Sequence, residues 1–513
     1  MNTTESLSTN LQRIPENIAI IQGSLHLSWS ELHDHVANLA AGLQHLGVKD
    51  GDHVATLLGN TYRNIESTYA VQWLGAAIVP INIRWSAPEV EFAIEDCEST
   101  VLLVDKQNWP TVEKLSDRLR TKLTLIWADD GSPPANLDTL DGLIASHQPI
   151  LAKEVAGSTV SSIFYTGGTT GRSKGVLLSH DNQMSHSIAF IADCGLAASG
   201  SNYLHAAPMF HIADSLFTHV VSLLGGTHII LPQFTPRGVA QMVTEHRVSF
   251  TVLVPTMIQM IMAEPAVADD VFNNLNRLFY GASPMPETIT KQILKHYPDL
   301  DMTQCYGQTE SSPVLTLLKS DGHGKGEPLP QAKSAGRAMM GTEIRIADED
   351  DQILATGETG EVIARGPQVM RGYWKREAET EKALRGGWLH TGDAGFMDEQ
   401  GFVYIVDRIK DMIISGGENV YSVEVEQAIY ELPSVAQCAV IGLPHDKWGE
   451  TVHAVVVPKP SHEITEEQIT THCKVLLADY KQPRSITIRT EALPLSGAGK
   501  ILKRELRTEL TGA

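Results

Sequence analysis

The sequence predicts an α/β protein in which a large N-terminal region of layered α/β subdomains is followed by a small α+β domain. Short apolar strands alternate with helical segments along the first third of the chain, which is typical of layers on a largely parallel sheet. Residues 337–405 alternate in strand fashion and predict a smaller β-rich subdomain. The charged segment 407–411 marks a boundary, because the residues C-terminal to it have the length of one small domain. The predicted units are residues 1–407, a connection at 408–411 and residues 412–513.

The first predicted helix begins at Ser28, which stands three residues before Glu31 in the spacing of a capping box. Apolar residues then recur every three or four positions up to Gly47, which can end the helix, namely Leu32, Val36, Leu39, Leu43 and Leu46. The segments after it predict a strand at 53–58, a helix at 63–75, and strands at 77–81, 100–105, 124–129 and 161–165.

The C-terminal domain has its own strand and helix pattern. Strands are predicted at 412–415, 435–442 and 452–458. Thr465 and Gln468 have the spacing that begins a helix, which would end near Ala478. The chain finishes in a predicted basic helix over 500–507.

Composition excludes several classes of function. A formal net charge of −21 over 513 residues argues against non-specific binding of nucleic acid or of an anionic membrane. The sequence has no apolar run long enough to span a bilayer and no visible secretory signal, so no integral membrane segment is predicted. Five dispersed cysteines without metal-ligand spacing indicate free thiols in a reducing compartment, and we expect a cytoplasmic protein.

The glycine-rich segment 165–175, with the sequence YTGGTTGRSKG, predicts a loop that holds phosphate groups. Glycines let the backbone approach a ligand closely, and the hydroxyl and N–H groups of such a loop are donors for phosphate oxygens. Arg172 and Lys174 add positive charge. A Walker A loop is excluded, because that motif requires Ser or Thr directly after the lysine and here Gly175 follows.

Two further segments supply side chains for a nucleotide and a metal. In Tyr306-Gly307-Gln308-Thr309-Glu310, an aromatic ring can stack on a base, while a hydroxyl and a carboxylate are oxygen ligands that Mg²⁺ accepts. In the segment 388–393, Asp393 follows a tight turn and can accept both ribose hydroxyls. Taken singly, the first segment is equally compatible with a turn that carries an exposed glutamate, and an aspartate in an ordinary β-turn is the commoner interpretation of the second.

Three other segments carry candidate residues. The segment 407–419 joins alternating charges to the Gly416-Gly417 pair. Lys500 follows a Ser-Gly-Ala-Gly stretch, and a point cation on such a loop can reach a developing negative charge. An aromatic and histidine pair at 210–211 and the small residues at 281–283 could form the walls of a pocket.

In this order and over this length, the motifs resemble those of the adenylate-forming superfamily, which contains acyl-CoA synthetases, luciferases and peptide-synthetase adenylation domains. The resemblance covers essentially the whole chain. It implies two steps: a carboxylate attacks the α-phosphate of ATP and releases pyrophosphate, and coenzyme A then converts the acyl-adenylate to a thioester and AMP. It also implies a mobile C-terminal lid domain that carries the catalytic lysine.

The resemblance implies a role for each matching residue. Lys500, Glu310, Thr309 and His211 form the catalytic set, in which Lys500 bridges carboxylate and α-phosphate, Glu310 binds Mg²⁺ and His211 separates the adenylate from the acyl tunnel. Lys410 is the hinge, and Thr170 is a second candidate ligand of Mg²⁺. The ATP and coenzyme A contacts are Thr166, Gly167, Gly168, Thr169, Thr170, Gly171, Ser173, Lys174, Gly281, Ala282, Ser283, Tyr306, Asp393, Arg408, Gly417, Trp448 and Arg84.

The chain departs from the family pattern at two positions. Asp214 stands where many acyl-CoA synthetases have a small residue, and we interpret it as the N-cap of a helix beginning near Ser215. The alternative is a counter-ion for a substrate amino group. Ser422 stands where proline is common, and we expect it to be a helix N-cap without functional effect.

The leading hypothesis is therefore an ATP-dependent carboxylate–CoA ligase for a fatty or aryl acid, with ATP, Mg²⁺ and coenzyme A as its small-molecule partners. A ligase that loads an acyl or aminoacyl group onto a carrier protein is the alternative within the same chemistry. A catalytically inactive nucleotide-binding scaffold is the alternative from another class, and the joint presence of Lys500, Glu310, Asp393 and Arg408 argues against it. The chain can be a monomer or a homodimer.

Overall fold

The computed structural model of the protein describes residues 1–134, 137–166, 173–197, 201–415, 418–445, 447–460, 462–496 and 500–511. Within these residues the strands are β1 (Ile18–Gln22), β2 (Leu25–Ser28), β3 (His53–Leu57), β4 (Ala77–Pro80), β5 (Val101–Val104), β6 (Thr124–Trp127), β7 (Asp138–Thr139), β8 (Val160–Thr166), β9 (Lys174–Ser179), β10 (Asn202–His205), β11 (Thr227–Ile230), β12 (Phe250–Leu253), β13 (Arg277–Gly281), β14 (Asp301–Tyr306), β15 (Thr316–Leu318), β16 (Arg337–Ala338), β17 (Glu343–Ala347), β18 (Gly360–Arg365), β19 (Gly372–Tyr373), β20 (Leu389–Met397), β21 (Val403–Arg408), β22 (Ile413–Ser415), β23 (Glu418–Val420), β24 (Val435–His445), β25 (Gly449–Pro458) and β26 (Ser485–Ile488).

The α-helices of the same residues are α1 (Glu5–Arg13), α2 (Trp29–His45), α3 (Arg63–Trp73), α4 (Ala87–Asp96), α5 (Trp109–Val112), α6 (Asp117–Lys122), α7 (Leu140–Ser146), α8 (His180–Cys194), α9 (Ile212–Leu224), α10 (Pro236–Glu245), α11 (Pro255–Met262), α12 (Pro265–Phe272), α13 (Glu287–His296), α14 (Ser320–His323), α15 (Glu377–Ala383), α16 (Ser422–Tyr430), α17 (Glu466–Leu476) and α18 (Lys503–Thr511). Short 3₁₀ turns lie at Thr309–Ser311, Pro330–Lys333, Arg385–Gly387 and Asp479–Lys481. No helix of the described residues is long and apolar enough to cross a bilayer.

Two large mixed sheets form the N-terminal region. One has the strand order β16-β15-β14-β13-β12-β10-β11-β1-β2, and the other β19-β9-β8-β4-β3-β5-β6-β7. The central strands of both sheets are parallel. Antiparallel strands close both edges of the first sheet and the β19 edge of the second, whose other edge strand, β7, is parallel to β6. The predicted α/β class is confirmed, and the capping box of Ser28 and Glu31 begins α2 as expected.

Two smaller sheets follow. Strands β17, β18, β20 and β21 form an antiparallel sheet at the position of the predicted β-rich subdomain. Residues after 412 build a separate sheet in the order β23-β22-β25-β24, with β26 parallel to β25, and α16, α17 and α18 accompany it. A capping box of Thr465 and Gln468 begins α17 as predicted. We call residues 412–511 the C-terminal unit.

Two predictions about helix starts are wrong. The last helix, α18, begins at Lys503 and not at Lys500, because residues 495 and 501 instead form an isolated antiparallel bridge. Ser422 is the first residue of α16, and the N-cap is Tyr421, whose side chain makes no capping hydrogen bond. The Ser422 hydroxyl donates to the Asp407 carboxylate at the end of β21. Both differences arise from tertiary contacts that helix-start patterns do not contain.

Candidate active site

The segment that follows β14 is held tightly by its backbone. A Cβ on Gly307 would lie 2.1 Å from the carbonyl oxygen of Pro313, so only glycine fits there. The chain then makes the 3₁₀ turn Thr309–Ser311, in which Thr309 and Glu310 are both buried. This turn fixes the Glu310 carboxylate relative to the Tyr306 ring.

The predicted base-binding and ribose-binding residues meet in the structure. The Tyr306 hydroxyl donates to Oδ2 of Asp393 at 2.7 Å, and Nε of Arg408 lies 3.4 Å from Oδ1 of Asp393. Asp393 and Arg408 are cross-strand partners of β20 and β21, which explains the proximity of the two side chains. Burial raises the pKa of Asp393, and the Arg408 guanidinium acts in the opposite direction.

Glu361 supports this arrangement, although the sequence did not single it out. One carboxylate oxygen of Glu361 accepts the backbone N–H of Gly392 at 2.9 Å, and the other lies 2.8 Å from Nδ1 of His390. Glu361 therefore holds the turn that presents Asp393. A single glutamate within the predicted β-rich subdomain gives no local signal of this role.

The small residues at 281–283 lie beside Tyr306. Gly281 ends β13 and pairs with Cys305 of β14, and a Cβ at Gly281 would meet the Cys305 carbonyl oxygen at 2.1 Å. Ala282 has a φ of +69°, and Ala282 and Ser283 are half-buried. The two strand ends therefore approach as closely as backbone sterics allow.

Glu310 is joined to the glycine-rich segment by Tyr373, which sequence reasoning missed. The Tyr373 hydroxyl donates to Oε1 of Glu310 at 2.8 Å, and Nζ of Lys174 lies 4.1 Å from the centre of the Tyr373 ring. Thr166 and Lys174 face each other across β8 and β9, and Ser173 precedes β9. Tyr373 lies in the cation-rich segment 371–376, which is a local signal of a binding site. Nothing in the spacing of that segment along the sequence relates Tyr373 to Glu310.

Lys500 reaches the same place from the C-terminal unit. Burial lowers the pKa of its ammonium group to about 8, the nearby Arg408 cation adds to that effect, and the Asp393 and Glu310 carboxylates oppose it. Two hydrogen bonds hold its backbone, one from its N–H to Oγ of Ser496 and one from the Ser496 N–H to its carbonyl. The predicted catalytic lysine therefore lies within electrostatic reach of the predicted nucleotide residues, and we call this site the Asp393 pocket.

His211 also lies near this cation. It is the N-cap of α9, and its Nδ1 accepts the backbone N–H of Ala213 at 3.3 Å. Burial and the Lys500 charge lower the pKa of His211 to about 3. A neutral imidazole with its proton on Nε2 thus stands beside Lys500 without charge repulsion.

The expectation for Asp214 is wrong. Helix α9 begins at Ile212, so Asp214 lies inside its first turn and is not the N-cap. Its side chain is completely buried, with Oδ1 accepting the Tyr203 hydroxyl at 2.8 Å and Oδ2 accepting from Nδ1 of His205 at 2.6 Å. Both oxygens are bound within the core, which also removes the alternative in which Asp214 pairs with a substrate amino group.

Three other residues with predicted roles lie at the edge of the Asp393 pocket or away from it, namely Arg84, Trp448 and Lys410. Arg84 donates to the backbone carbonyl of Ser496 at 3.2 Å, beside the Lys500 segment. Trp448 stacks on His445 with ring centres 4.5 Å apart, and the Arg484 guanidinium lies 4.5 Å from its centre on the C-terminal unit. Burial lowers the pKa of Lys410, and the neighbouring cation of Lys174 adds to this.

Some predicted residues lie outside the described part of the chain. They are Gly167, Gly168, Thr169, Thr170, Gly171, Arg172 and Gly417.

A separate cleft opens at the other end of the sheet. It has a volume of about 540 Å³ and is lined by residues that include Arg277, Asp301 and Lys319. Arg277 and Asp301 begin β13 and β14, whereas Gly281 and Tyr306 end them. Arg277 pairs with Asp301 and Lys319 with Asp193, so these cations are already neutralised. The convergent polar groups identify the Asp393 pocket, and not this cleft, as the candidate site.

Comparison with known proteins agrees with this assignment. A model of the AMP-binding enzyme family matches residues 7–374, and a model of the AMP-binding enzyme C-terminal domain matches residues 424–500. The chain belongs to the AMP-binding enzyme family. The resemblance to adenylate-forming enzymes is thereby confirmed.

Individual members of the family cover nearly all of the chain. It is 37% identical over 496 residues to a feruloyl-CoA synthase of Amycolatopsis sp, with 96% of both proteins covered. It is 35% identical over 487 residues to a long-chain-fatty-acid–CoA ligase of Mycobacterium tuberculosis, covering 94% of this chain and 93% of that protein. The structure of the o-succinylbenzoate CoA synthetase of Bacillus subtilis with its acyl-adenylate intermediate superimposes with a TM-score of 0.85 at 28% identity, over 99% of this chain and 98% of that one.

Proposed function

We propose that this chain is an ATP-dependent, AMP-forming acid–CoA ligase that activates a compact aryl acid through an acyl-adenylate. The observation that carries the proposal is the convergence of the Lys500 and Arg408 cations on two buried carboxylates, Asp393 and Glu310. Relatives named as CoA ligases support the thiol acceptor. The long-chain acid of one relative keeps a fatty acid as the alternative substrate.

The pocket residues divide into a nucleotide group and a reacting group. Asp393 and Arg408 would hold the ribose hydroxyls, and the Tyr306 ring would lie against adenine beside residues 281–283. Thr166, Ser173 and Lys174, with the segment 167–172, would bind the β- and γ-phosphates. Thr309 would contact the α-phosphate. Positioning and charge stabilisation dominate such phosphoryl chemistry, because little covalent work falls to the protein.

In the first half-reaction, a carboxylate oxygen of the acid forms a bond to the α-phosphorus of ATP, and the bond from that phosphorus to pyrophosphate breaks. Negative charge builds on the oxygens of the α-phosphate, where the Lys500 ammonium would stabilise it. The neutral His211 ring would close the space between the acyl group and the adenylate. In the second half-reaction, the sulfur of coenzyme A attacks the acyl carbon and AMP leaves.

Magnesium fits the donors of the pocket. No cluster of three or more acidic, histidine or cysteine side chains that could hold a metal exists among the described residues. Mg²⁺ is commonly bound through one or two carboxylates together with substrate phosphates. Oε1 of Glu310 accepts the Tyr373 hydroxyl, which leaves Oε2 for a cation. The metal would supply neutralisation of phosphate charge, with Glu310 as its protein ligand and Thr170 as the second candidate.

The remaining predicted residues belong to the second half-reaction. Rotation about Lys410 would withdraw Lys500 and bring Gly417 to line a pantetheine channel, with Trp448 and Arg84 contacting the nucleotide of coenzyme A. In the present arrangement Arg84 instead donates to Ser496. The proposal for these residues is therefore that each contacts coenzyme A only after the C-terminal unit, the proposed lid domain, has moved.

A compact acid is favoured by the packing behind His211. Side chains of α9 are partly exposed at Ala213 and Ser215, and the helix is then buried as far as Ser222. An aromatic cluster fills the space between α8, α9 and the sheet with rings that are at most 3% exposed, namely Phe190, Tyr203, Phe217, Phe250 and Phe279. Tyr203 and Phe217 stack with ring centres 4.4 Å apart. A long acyl chain would have to displace this cluster, at the cost of a well-packed core.

The test is a pyrophosphate-release assay with aryl, fatty, thioether and amino acids, with and without coenzyme A. We expect the highest kcat/KM for aryl acids and thioester formation that depends on coenzyme A. Lys500→Met should slow adenylation by about 10²–10³-fold, as loss of an oxyanion donor does, and spare thioester formation from supplied acyl-adenylate. Lys474→Met, on α17, is the matched control. A preference for long-chain acids would exclude the compact-acid assignment, and thiolation only with a carrier protein would exclude coenzyme A.

The proposed function also concerns the location, the oligomeric state and the metabolic process of the protein. The five cysteines are all free thiols, four of them buried, which supports a cytoplasmic location. Light scattering would test whether the protein is a monomer or a homodimer. If fatty acids are the substrates, fatty acid metabolism is the corresponding process.

A further inference from the structure

A continuous chain of polar contacts runs from the C-terminal unit to the candidate ribose site. Nζ of Lys503 donates to Oγ of Ser422, and the Ser422 hydroxyl donates to Oδ2 of Asp407 at 2.7 Å. The backbone N–H of Ser422 donates to the same oxygen. Oδ1 of Asp407 accepts the backbone N–H of Arg408 at 2.7 Å, and the Arg408 side chain faces Asp393.

These contacts are buried and mutually satisfied. Ser422 is 0% exposed and Asp407 3%. Nζ of Lys503 also lies 2.7 Å from Oε1 of Glu426, which accepts the backbone N–H of Val440 as well. Burial lowers the pKa of Lys503, but the charges of Glu426 and Asp407 outweigh it and leave the pKa raised. Lys503 is therefore a charged donor, which strengthens its hydrogen bond to Ser422.

The contacts of Asp407 connect residues on opposite sides of the proposed hinge. Asp407 lies in β21, before the proposed hinge at Lys410, whereas Ser422 and Lys503 begin α16 and α18 after it. Lys503 is three residues from Lys500. Fixing the starts of both helices on β21 therefore fixes the segment that carries Lys500 relative to Asp393.

We propose that Asp407 and Ser422 are positioning residues that set the C-terminal unit for adenylation. This inference rests on the proposed function. Rotation about Lys410 would carry Ser422 and Lys503 away from Asp407, so the contacts favour the first half-reaction and must be released for the second. The hydrogen-bond energy between Asp407 and Ser422 thus sets the balance between the two half-reactions.

A proline at position 422, the residue common in the family, separates this role from a general role in folding. Proline lacks the N–H and the hydroxyl, so it removes both donors to Asp407. It is well tolerated as the first residue of a helix, and Tyr421, with φ −87° and ψ 117°, already has the extended conformation that a residue before proline requires. Ser422→Pro should therefore fold while it disconnects Asp407. Ser422→Thr keeps both donors and is the matched rescue variant.

The experiment measures the two half-reactions separately, with an acid that the wild type activates. Acyl-adenylate formation is followed as single-turnover pyrophosphate release, and thioester formation starts from supplied acyl-adenylate and coenzyme A. Two hydrogen bonds of about 0.5–1.5 kcal/mol each predict that Ser422→Pro slows adenylation by roughly 5–160-fold, Ser422→Ala by less, and Ser422→Thr hardly at all. The thioester step should stay unchanged or become faster.

Several outcomes would overturn the inference. Equal slowing of both half-reactions would mean that Ser422 has only a structural role, and an unchanged adenylation rate in Ser422→Pro would mean that the contacts do not position Lys500. Thermal melts compare the folded stability of the variants, and Ser422→Ala decides the matter if the proline variant melts early. Absence of both half-reactions in the wild type would instead refute the proposed function itself.

Discussion

Two buried aspartates in this protein each accept a hydrogen bond from a tyrosine, yet they serve different ends. Asp214 is bound at both oxygens, by the Tyr203 hydroxyl at 2.8 Å and by Nδ1 of His205 at 2.6 Å. Asp393 accepts the Tyr306 hydroxyl at 2.7 Å, and among the described residues the Arg408 side chain lies 3.4 Å from its other oxygen. Both oxygens of Asp214 accept short hydrogen bonds within the core, whereas the longer contact of Asp393 with Arg408 leaves that oxygen with acceptor capacity for a ligand.

The core carboxylate continues into a chain of histidine and serine side chains. Nε2 of His205 lies 2.9 Å from Nδ1 of His228, and Nε2 of His228 lies 3.2 Å from Oγ of Ser222. Burial, reinforced by the charge that His205 would carry, keeps the pKa of His228 well below its usual value. The hydrogen bonds of all these side chains are satisfied when each one donates to the neighbour that is nearer to Asp214. The second contact, at 2.6 Å to Asp214 but at 3.4 Å to Asp393, and not burial, therefore separates the structural aspartate from the proposed ligand-binding one.

The largest effect is expected from breaking the core network. Asp214→Ala leaves Tyr203 and His205 buried without their acceptor and should lower the free energy of unfolding by about 3–5 kcal/mol. The kcat/KM of the protein that remains folded should not change, because Asp214 does not face the pocket. Urea denaturation and steady-state kinetics on the same sample measure the two quantities. A selective loss of activity would place Asp214 in the site.

The reciprocal change is Asp393→Asn, which should reduce kcat/KM for ATP by about 10²-fold. Because burial already raises the pKa of Asp393, a neutral amide costs little in the free protein, and the free energy of unfolding should change by less than about 1 kcal/mol. A large loss of stability together with unchanged ATP kinetics would contradict the distinction between the two aspartates.

The pocket, unlike the core network, should respond to pH through Lys500. Its ammonium is protonated below its pKa of about 8 and neutral above it, so kcat/KM for adenylation should be level below pH 8 and fall above it. Stability should move the other way: a lysine whose folded pKa lies below its unfolded value gains stability as pH rises between the two. Lys500→Arg should flatten the profile, since guanidinium stays charged. An unchanged decline in that variant would assign the pH dependence to another group.

The smallest effects are expected from the two tyrosine hydroxyls. Tyr203→Phe leaves Asp214 short of one donor in the core and should lower the free energy of unfolding by about 1–3 kcal/mol. Tyr306→Phe should act on kcat/KM for ATP instead, by about 2–12-fold, because it frees an Asp393 oxygen that the nucleotide can still occupy. Equal effects of both variants on stability would show that the two aspartates do not differ in role.

Much of the fold was predictable because it depends on local patterns. The capping box of Ser28 and Glu31, the apolar period of α2 and the alternation of strands and helices around it depend on neighbours a few residues apart. The helix starts at Ser422 and Lys503 were predicted wrongly, since the competing partners, Asp407 and the bridge between 495 and 501, are distant in sequence or in another element.

The sequence by itself determined the α/β class and the residue types of the site, because each motif places its donors, glycines or aromatic ring within a short segment. Only the tertiary structure decided which carboxylate stays available and which is consumed by the core, and which residues, such as Tyr373 and Glu361, hold the catalytic side chains in place. The reason is physical: a hydrogen bond between residues far apart in the chain depends on how sheets and helices pack, and no spacing along the sequence records that packing.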